Sequence, residues 1–328
     1  MDTGRMDRLG IDTSIIGMGC WQIGADWGSV GEDAALATLH AAADAGVTFF
    51  DTADVYGDGR SETLVGRFRR ERPEGSVFVA TKMGRRASPH VAAEYNRDNF
   101  RAWNDRSREN LGMDTLDLVQ LHCPPSSVFT AQATYDALDE MVAEGRMRAY
   151  GVSVERCDEA LAAIERPNVA SVQIILNAFR LKPLEEVLPA ASAAGVGIIA
   201  RVPLASGLLS GRYSVDTEFA ADDHRTYNRH GEAFDKGETF SGVPYDVGVA
   251  AAREFAGLAP SGVTPAQFAL RWIADQPGVS VVIPGARNPE QARANAAAGS
   301  LPALSGEQLD AVARLYDQRI REHVHASW

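Results

Sequence analysis

Cysteine is scarce in this 328-residue chain: Cys20, Cys123 and Cys157 are its three thiols. Three scattered cysteines make neither a disulfide framework nor a zinc ligand set, so a reducing compartment is expected and no metal is assigned. No apolar run approaches the ~20 residues that span a bilayer. The opening MDTGRMDRLGIDTS has no apolar core of signal-peptide length. A cytoplasmic, soluble protein without a membrane partner is expected. Positive charge is also in deficit, with 32 Lys and Arg against 44 Asp and Glu and a formal net charge of -12. An acidic surface repels polyanions, which argues against nucleic acid and anionic lipid as main partners. The basic cluster at 67–72 reads as a solvated helix face. Apolar residues, by contrast, are plentiful at 45%, enough for a large buried core.

Short apolar runs alternate with longer amphipathic stretches along the whole chain. The runs at 15–19, 48–51, 77–81, 116–121, 149–153, 171–175, 197–200 and 279–283 predict strands. Helical periodicity fills gaps at 33–45, 62–70, 99–111, 131–144, 158–164, 184–194 and 266–275. Strands separated by helices pair in parallel. The pattern therefore predicts an α/β fold, a (β/α)8 TIM barrel forming one domain over residues 1–328, with a doubly wound sheet as the alternative. Residues 6–11 predict a small N-terminal hairpin turning at Gly10 and plugging the barrel's bottom. Thr264-Pro265 and Asn288-Pro289 place a cap residue before a first-turn proline, and Ser305 with Gln308 forms a capping box. Between residues 212 and 245 the rhythm fails. A polar, irregular stretch of this length after the seventh strand is expected over the C-terminal face, as a substrate lid. Its His224 and His230 lack further groups at metal-ligand spacing.

Four residue types close successive apolar runs: Asp51 and Tyr56 in FFDTADVYG, Lys82 in VFVATKMG, and His122 in LDLVQLHCPP. Each alone reads as a cap, a packed aromatic, a surface charge or a satisfied polar group. Together they lie at or just beyond the ends of strands two, three and four, positions that converge on the mouth of a barrel. Their chemistry suits carbonyl reduction. A lysine cation favours the phenolate and so makes tyrosine a better acid, and a carboxylate keeps a buried lysine charged. Imidazole can donate a hydrogen bond to a carbonyl oxygen as charge builds on it. No nucleophile is required when hydride comes from a cofactor. A helix opening at Asn288-Pro289 directly after the eighth strand suits a phosphate, and Arg287 beside it has the planar fork to hold a 2′-phosphate.

These segments resemble the aldo-keto reductase superfamily: GMGCWQIG, FFDTADVYGDGRSETLVGR, VFVATKMG, DLVQLHCPP, YGVSVE, SVQIILNAFR, PLASGLLSGR and VVIPGARNPEQARANAAA follow that family's order. The resemblance implies a barrel that binds NADPH or NADP+ without a glycine-rich Rossmann turn, and a tetrad of Asp51, Tyr56, Lys82 and His122 with Tyr56 as proton donor. It implies that Ser153 and Gln173 hold the nicotinamide carboxamide. Pro203, Leu204, Ser206, Gly207, Leu209, Gly211 and Arg212 would lie along the pyrophosphate, and Gly285, Arg287, Gln291 and Asn295 at the adenosine end. Two positions depart from the pattern. Val154 stands where many relatives have asparagine, and Arg201 where they often have an aromatic that stacks on the nicotinamide. A guanidinium can stack there too, and its charge is expected to disfavour cationic NADP+ relative to NADPH.

The expected activity is NADPH-dependent reduction of an aldehyde or ketone, with Trp21, Trp27, Tyr56 and His122 lining the substrate pocket beneath the lid. Two alternatives stand beside it: an NADP-dependent sugar or alcohol dehydrogenase, for which Arg225 and Arg229 hint at polar or anionic substrates, and a non-catalytic NADPH-sensing regulatory subunit. The partner in each case is a small molecule. The sequence carries no signal for oligomeric state.

Overall fold

The computed structural model describes residues 1–24 and 30–328. The chain opens with an antiparallel hairpin in which β1 (Thr3–Met6) pairs with β2 (Ile11–Ser14). Its turn ends at Gly10 with φ of 67°, a left-handed conformation that glycine enters without a steric penalty. Eight strands follow: β3 (Met18–Gly19), β4 (Phe49–Asp51), β5 (Phe78–Met83), β6 (Leu116–His122), β7 (Met147–Ser153), β8 (Val169–Ile175), β9 (Gly197–Arg201) and β10 (Val279–Val282). They pair in sequential order and in parallel. Parallel bridges from Ile16 to Val282 and from Gly19 to Gly285 join the two ends of the sheet. The strand order has no reversal and the ring meets itself, so this is the TIM barrel and not the doubly wound alternative.

Helices occupy the gaps where periodicity placed them, including Glu32–Asp44, Arg60–Arg70, Arg97–Leu111, Gln132–Ala143 and Pro265–Ala274. Thr264 and Ser305 each form a reciprocal capping box with the glutamine three residues on, and the Asn288 side chain accepts from the Gln291 N–H. Two further helices, Tyr245–Gly257 and Gly306–Arg319, pack on each other outside the barrel. Among the described residues, no helix is long and apolar enough to cross a membrane.

The barrel interior changes character along its axis because residues two apart on a strand point the same way. Phe49, Ala80, Leu118, Ile199, Val281 and Ile283 form an apolar layer, and Met6 from the hairpin is buried against it, so the hairpin does plug the bottom. Burying Met6 there stabilises the fold by about 1.5–3 kcal/mol. One step nearer the C-terminal ends the same faces present Asp51, Lys82, Gln120, Gln173 and Arg201. An apolar floor thus carries a polar layer at the rim.

Residues 212–245 lie over that rim, as expected for the lid, but they are well packed. A short helix His224–Tyr227 and 3-10 turns at Lys236–Glu238 and Phe240–Gly242 bury Asp223, Asn228, Glu238, Thr239, Phe240 and Ser241. The lid's own aromatics take up its cations. Arg225 pairs with Asp223 and stacks 4.3 Å from the Phe219 ring, and Arg229 lies 4.9 Å from the Tyr245 ring. Arg225 also lines the cavity described below, whereas Arg229 is absent from that lining. On the outer side Trp328 donates to Asp235 at 2.9 Å and stacks under Arg180 at 4.2 Å, which pins the segment to the barrel.

Candidate active site

The polar layer is organised around Asp51. Its Oδ1 pairs with Lys82 Nζ, with both side chains almost wholly buried. Its Oδ2 accepts from Gln173 Nε2 at 2.8 Å and from Gln120 Nε2 at 3.2 Å, and Gln173 also donates to Gln120 Oε1 at 3.2 Å. Lys82 Nζ donates in addition to the Thr52 carbonyl at 2.9 Å and to the Tyr56 hydroxyl at 3.3 Å. Burial alone would pull the Lys82 ammonium toward losing its proton. Asp51 and Tyr56 more than offset that, so its pKa stands above the ordinary value.

Tyr56 reaches the lysine because the chain after it turns sharply. Gly57, Asp58 and Gly59 all have positive φ, and a Cβ on Gly57 would sit 2.1 Å from the Gly24 carbonyl oxygen, so only glycine fits there. Arg86 and Arg106 hold the strained Asp58 by its carboxylate. Burial raises the phenol's pKa and Lys82 draws it back only in part, so the net shift is upward. Lys82 does lower this pKa, as expected, but desolvation outweighs the cation, and Tyr56 keeps its proton at neutral pH.

His122 faces Tyr56 edge-on with ring centroids 6.0 Å apart. Its pKa lies well below the ordinary value, through burial first and then through the neighbouring cations Arg85, Lys82 and Arg201. The imidazole is therefore neutral. His224 of the lid, 5.2 Å from the Trp21 ring, is lowered to about 4, again mainly by burial. Below pH 6.5 the unfolded chain takes up protons that these folded imidazoles refuse, so their contribution is present above 6.5 and lost as the pH falls. Glu155, raised by burial, acts with the opposite sign. A comparison with His224→Gln separates the two: between pH 7 and pH 5 the variant should lose about 2 kcal/mol less stability than wild type in urea titrations. Equal losses would contradict this account of His224.

A second ionic cluster adjoins the first. Arg85 Nη1 and Nη2 donate to Glu238 Oε1 of the lid at 3.0 and 2.9 Å, and Nη1 lies 3.4 Å from His122 Nε2. Arg201 pairs with Glu155 at 2.8 Å, donates to the Val154 carbonyl at 3.0 Å and stands 3.7 Å from Glu238. Arg201 thus sits between the Glu155 and Glu238 side chains; burial pushes Glu155 up to about 8, so Glu238 supplies most of the compensating negative charge. Glu155, Glu238 and the Cys123 sulfur lie within 4.8 Å of one another, a set that would suit a cation, but Arg201 already supplies one in their midst.

A cavity of about 320 Å³ opens on this layer and runs along the rim. Trp21, Asp51, Tyr56, Gln173, Arg201, Pro203, Leu204, Ser206, Gly207, Gly285, Arg287 and Gln291 line it, together with His224, Arg225 and Glu238 of the lid. The other expected residues lie outside the lining, and among them is His122: it is buried behind Tyr56 with Lys82, so the expectation that its side chain lines the pocket is corrected. Ser153 is buried with its hydroxyl 3.5 Å from the Cys123 sulfur, Leu209 is in the core, Gly211 packs near Pro265, and Arg212 is exposed. Asn295 donates to the Gly285 carbonyl at 3.1 Å, and Gln291 accepts from the Arg287 N–H at 2.9 Å, so both shape the loop beside the cavity. Trp27 lies outside the described residues.

The family model for the aldo/keto reductase family matches residues 15–317. The chain belongs to the aldo/keto reductase family. It is 32% identical over 293 residues to the aldo-keto reductase YhdN of Bacillus subtilis (strain 168), covering 87% of this chain and 85% of that protein. A glycerol dehydrogenase from Gluconobacter oxydans superposes with a TM-score of 0.79 at 29% identity, covering 97% of this chain and 96% of that one. An aldo-keto reductase from Klebsiella pneumoniae, solved in complex with NADPH, gives 0.72 at 25% identity, with 96% and 95% covered.

In this aldo/keto reductase the cavity walls fit an extended dinucleotide. Val202, Ala205, Ser206 and Gly207 all have positive φ along one wall. Such conformations are costly for non-glycine residues, most of all for a β-branched valine, and they gather where a loop is shaped for a ligand. Opposite them the helix Pro289–Ala297 begins beside Arg287, with its positive dipole end toward the cavity. Four residues of the reductase's site are absent from those expected on sequence. Gln120 could have been found by strand parity, being two before His122 on an inward face. Arg85, Glu155 and Glu238 give no such signal, since each reads as an ordinary charge near a strand end or in a loop.

Proposed function

We propose that this aldo/keto reductase reduces an aldehyde or ketone to the alcohol with NADPH, residues 1–328 acting as one catalytic domain. The observation that carries the reading is the Tyr56 hydroxyl, 3.3 Å from the charged Lys82 ammonium at the edge of the cavity. When bound, the cofactor supplies the hydride. Tyr56 passes its proton to the carbonyl oxygen, and Lys82 stabilises the phenolate left behind. Neutral His122, in the tautomer that carries its proton on Nε2, donates a hydrogen bond to the same oxygen, with Arg85 turned from that nitrogen. Asp51 keeps Lys82 charged, and Gln120 and Gln173 hold Asp51 in place. Arg287 and the helix start after it suit the phosphates, Arg201 can present its planar face toward the nicotinamide, and Gln173, its N–H₂ engaged by Asp51, offers its carbonyl oxygen to the carboxamide. Ser153 would complete that contact. Trp21 wall to Tyr56, 6.1 Å between ring centroids, gives the substrate an aromatic face.

Steady-state oxidation of NADPH and of NADH, followed by absorbance with a panel of aldehydes, ketones and oxidised sugars, tests the reading. Turnover with at least one carbonyl and a preference for NADPH are expected. Failure of every carbonyl to consume either cofactor would overturn it. The likeness to a glycerol dehydrogenase favours a second reading, in which the same groups run the reaction as alcohol oxidation with NADP+. A larger kcat/KM for alcohol oxidation with NADP+ than for reduction of the matching carbonyl with NADPH, at neutral pH, would select it.

A further inference from the structure

The cluster joining barrel and lid bears on which carbonyl is reduced. Arg85 and His122 both stand at the barrel rim, just after β5 and at the end of β6. Arg85 gives both terminal nitrogens to one oxygen of Glu238, and one of those nitrogens lies 3.4 Å from His122 Nε2. A guanidinium has only donors, so the fork holds two neighbouring acceptors: a lid carboxylate and the imidazole nitrogen that faces the reaction. His122 Nδ1 is buried and makes no hydrogen bond among the described residues, so nothing fixes the imidazole's tautomer from behind. The two arginines differ in their need for Glu238. Arg201 has Glu155 at 2.8 Å and the Val154 carbonyl at 3.0 Å, with Glu238 only at 3.7 Å. With Glu238 removed, Arg201 keeps its contacts to Glu155 and to the Val154 carbonyl, whereas Arg85 becomes a bare cation beside the imidazole.

We propose that Arg85 anchors a carboxylate on the carbon next to the reacting carbonyl, making the substrate a 2-oxo acid, and that Glu238 of the lid holds that seat until the substrate arrives. The inference rests on the reductase reading, with the carbonyl oxygen received between Tyr56 and His122. Arg85 Nη1 and His122 Nε2 are 3.4 Å apart, a separation that suits two oxygens borne on adjacent carbons. The carboxylate goes to the planar fork, which recognises that group better than a point charge does. The keto oxygen goes to the imidazole, whose Nε2 then carries the proton. Exchanging one carboxylate for another leaves no buried arginine unpaired, which a neutral substrate displacing Glu238 would do. The lid arginines are placed differently: Arg225 pairs with Asp223, Arg229 stacks on Tyr245, and neither contacts His122 in any described hydrogen bond.

The test compares phenylglyoxylate with its methyl ester, which keeps the ketone and removes the charge. The readout is the acid-to-ester ratio of kcat/KM with NADPH, taken within each variant so that any loss of folded protein cancels. Arg85→Gln should lower the ratio about tenfold or more, and Arg85→Lys should recover part of it. Calorimetric titration with oxamate in the presence of NADP+ gives a second readout: binding should weaken in Arg85→Gln and tighten at least about threefold in Glu238→Gln, where the competing charge is gone. A ratio within about twofold of wild type in Arg85→Gln, or weaker oxamate binding in Glu238→Gln, overturns the seat. If the ester is reduced while the acid is not and oxamate does not bind, the reductase reading stands and the seat falls. If no carbonyl consumes NADPH, that reading falls, and the oxamate titrations still decide whether Arg85 holds a carboxylate.

Discussion

Tyr56→Phe should lower kcat for carbonyl reduction by about 100- to 10,000-fold, the usual worth of a positioned general acid. NADPH should still quench tryptophan fluorescence, because Trp21 lines the same cavity and the substitution removes a single oxygen. The alternative for this residue is a packed aromatic. Phenylalanine would then be tolerated, since the ring's contacts with Trp21 and His122 survive the change. The environment supports the acid. Burial holds the phenol's pKa above its ordinary value, so the proton is in place at neutral pH, and Lys82 lies 3.3 Å away to stabilise the oxygen once that proton has left. A site whose cation had already stripped the phenol would have nothing to donate. Turnover within about tenfold of wild type in Tyr56→Phe would remove the residue from the chemistry.

The fold and the tetrad were legible in the sequence for one reason. A parallel barrel built from alternating elements brings every strand's C-terminal end to one rim, so polar residues closing successive apolar runs must meet. Asp51, Lys82 and His122 obey that rule, and Tyr56 follows through a turn whose glycines are visible as Y-G-D-G. Charge pairing between distant segments obeys no such rule. Resemblance places Arg201 at the nicotinamide, but its ionic partners, Glu155 and Glu238, lie on a different strand end and in the lid and carry no signal in the sequence. Arg85 draws no assignment from the sequence, yet its guanidinium lies 3.4 Å from the imidazole of His122. The lid shows the same limit: polar composition marks residues 212–245 as irregular, but the burial of Glu238, Thr239 and Phe240 arises from tertiary contacts that periodicity does not encode. Gln291 and Asn295 illustrate the reverse. Matched to a ligand by resemblance, they are already engaged with the loop that carries Gly285 and Arg287.

The largest stability effect is expected at Asp51. Asp51→Ala leaves the Lys82 ammonium buried without its counter-ion and the amides of Gln120 and Gln173 without their acceptor, a loss of about 3–5 kcal/mol in urea titrations at pH 7. The sign of its pH dependence follows. Without Asp51, burial lowers the folded pKa of Lys82 below its ordinary 10.5. The unfolded chain then binds more protons than the folded one below that value, so the variant should gain stability from pH 7 to pH 9 as Lys82 sheds its proton. Lys82→Met alone strands a buried carboxylate, although the two amides still support it, and should be the milder change. In the double variant Asp51→Ala, Lys82→Met, neither charge remains, and the two losses should fall short of adding by at least about 1 kcal/mol. Activity should behave differently. The double variant regains stability by discarding the cation that Tyr56 needs, so its kcat should stay as low as that of Lys82→Met. Recovery of turnover together with stability would mean that the ion pair only holds the rim together. Additive stability losses would mean that Asp51 and Lys82 are satisfied separately, leaving the phenol without an enforced neighbour.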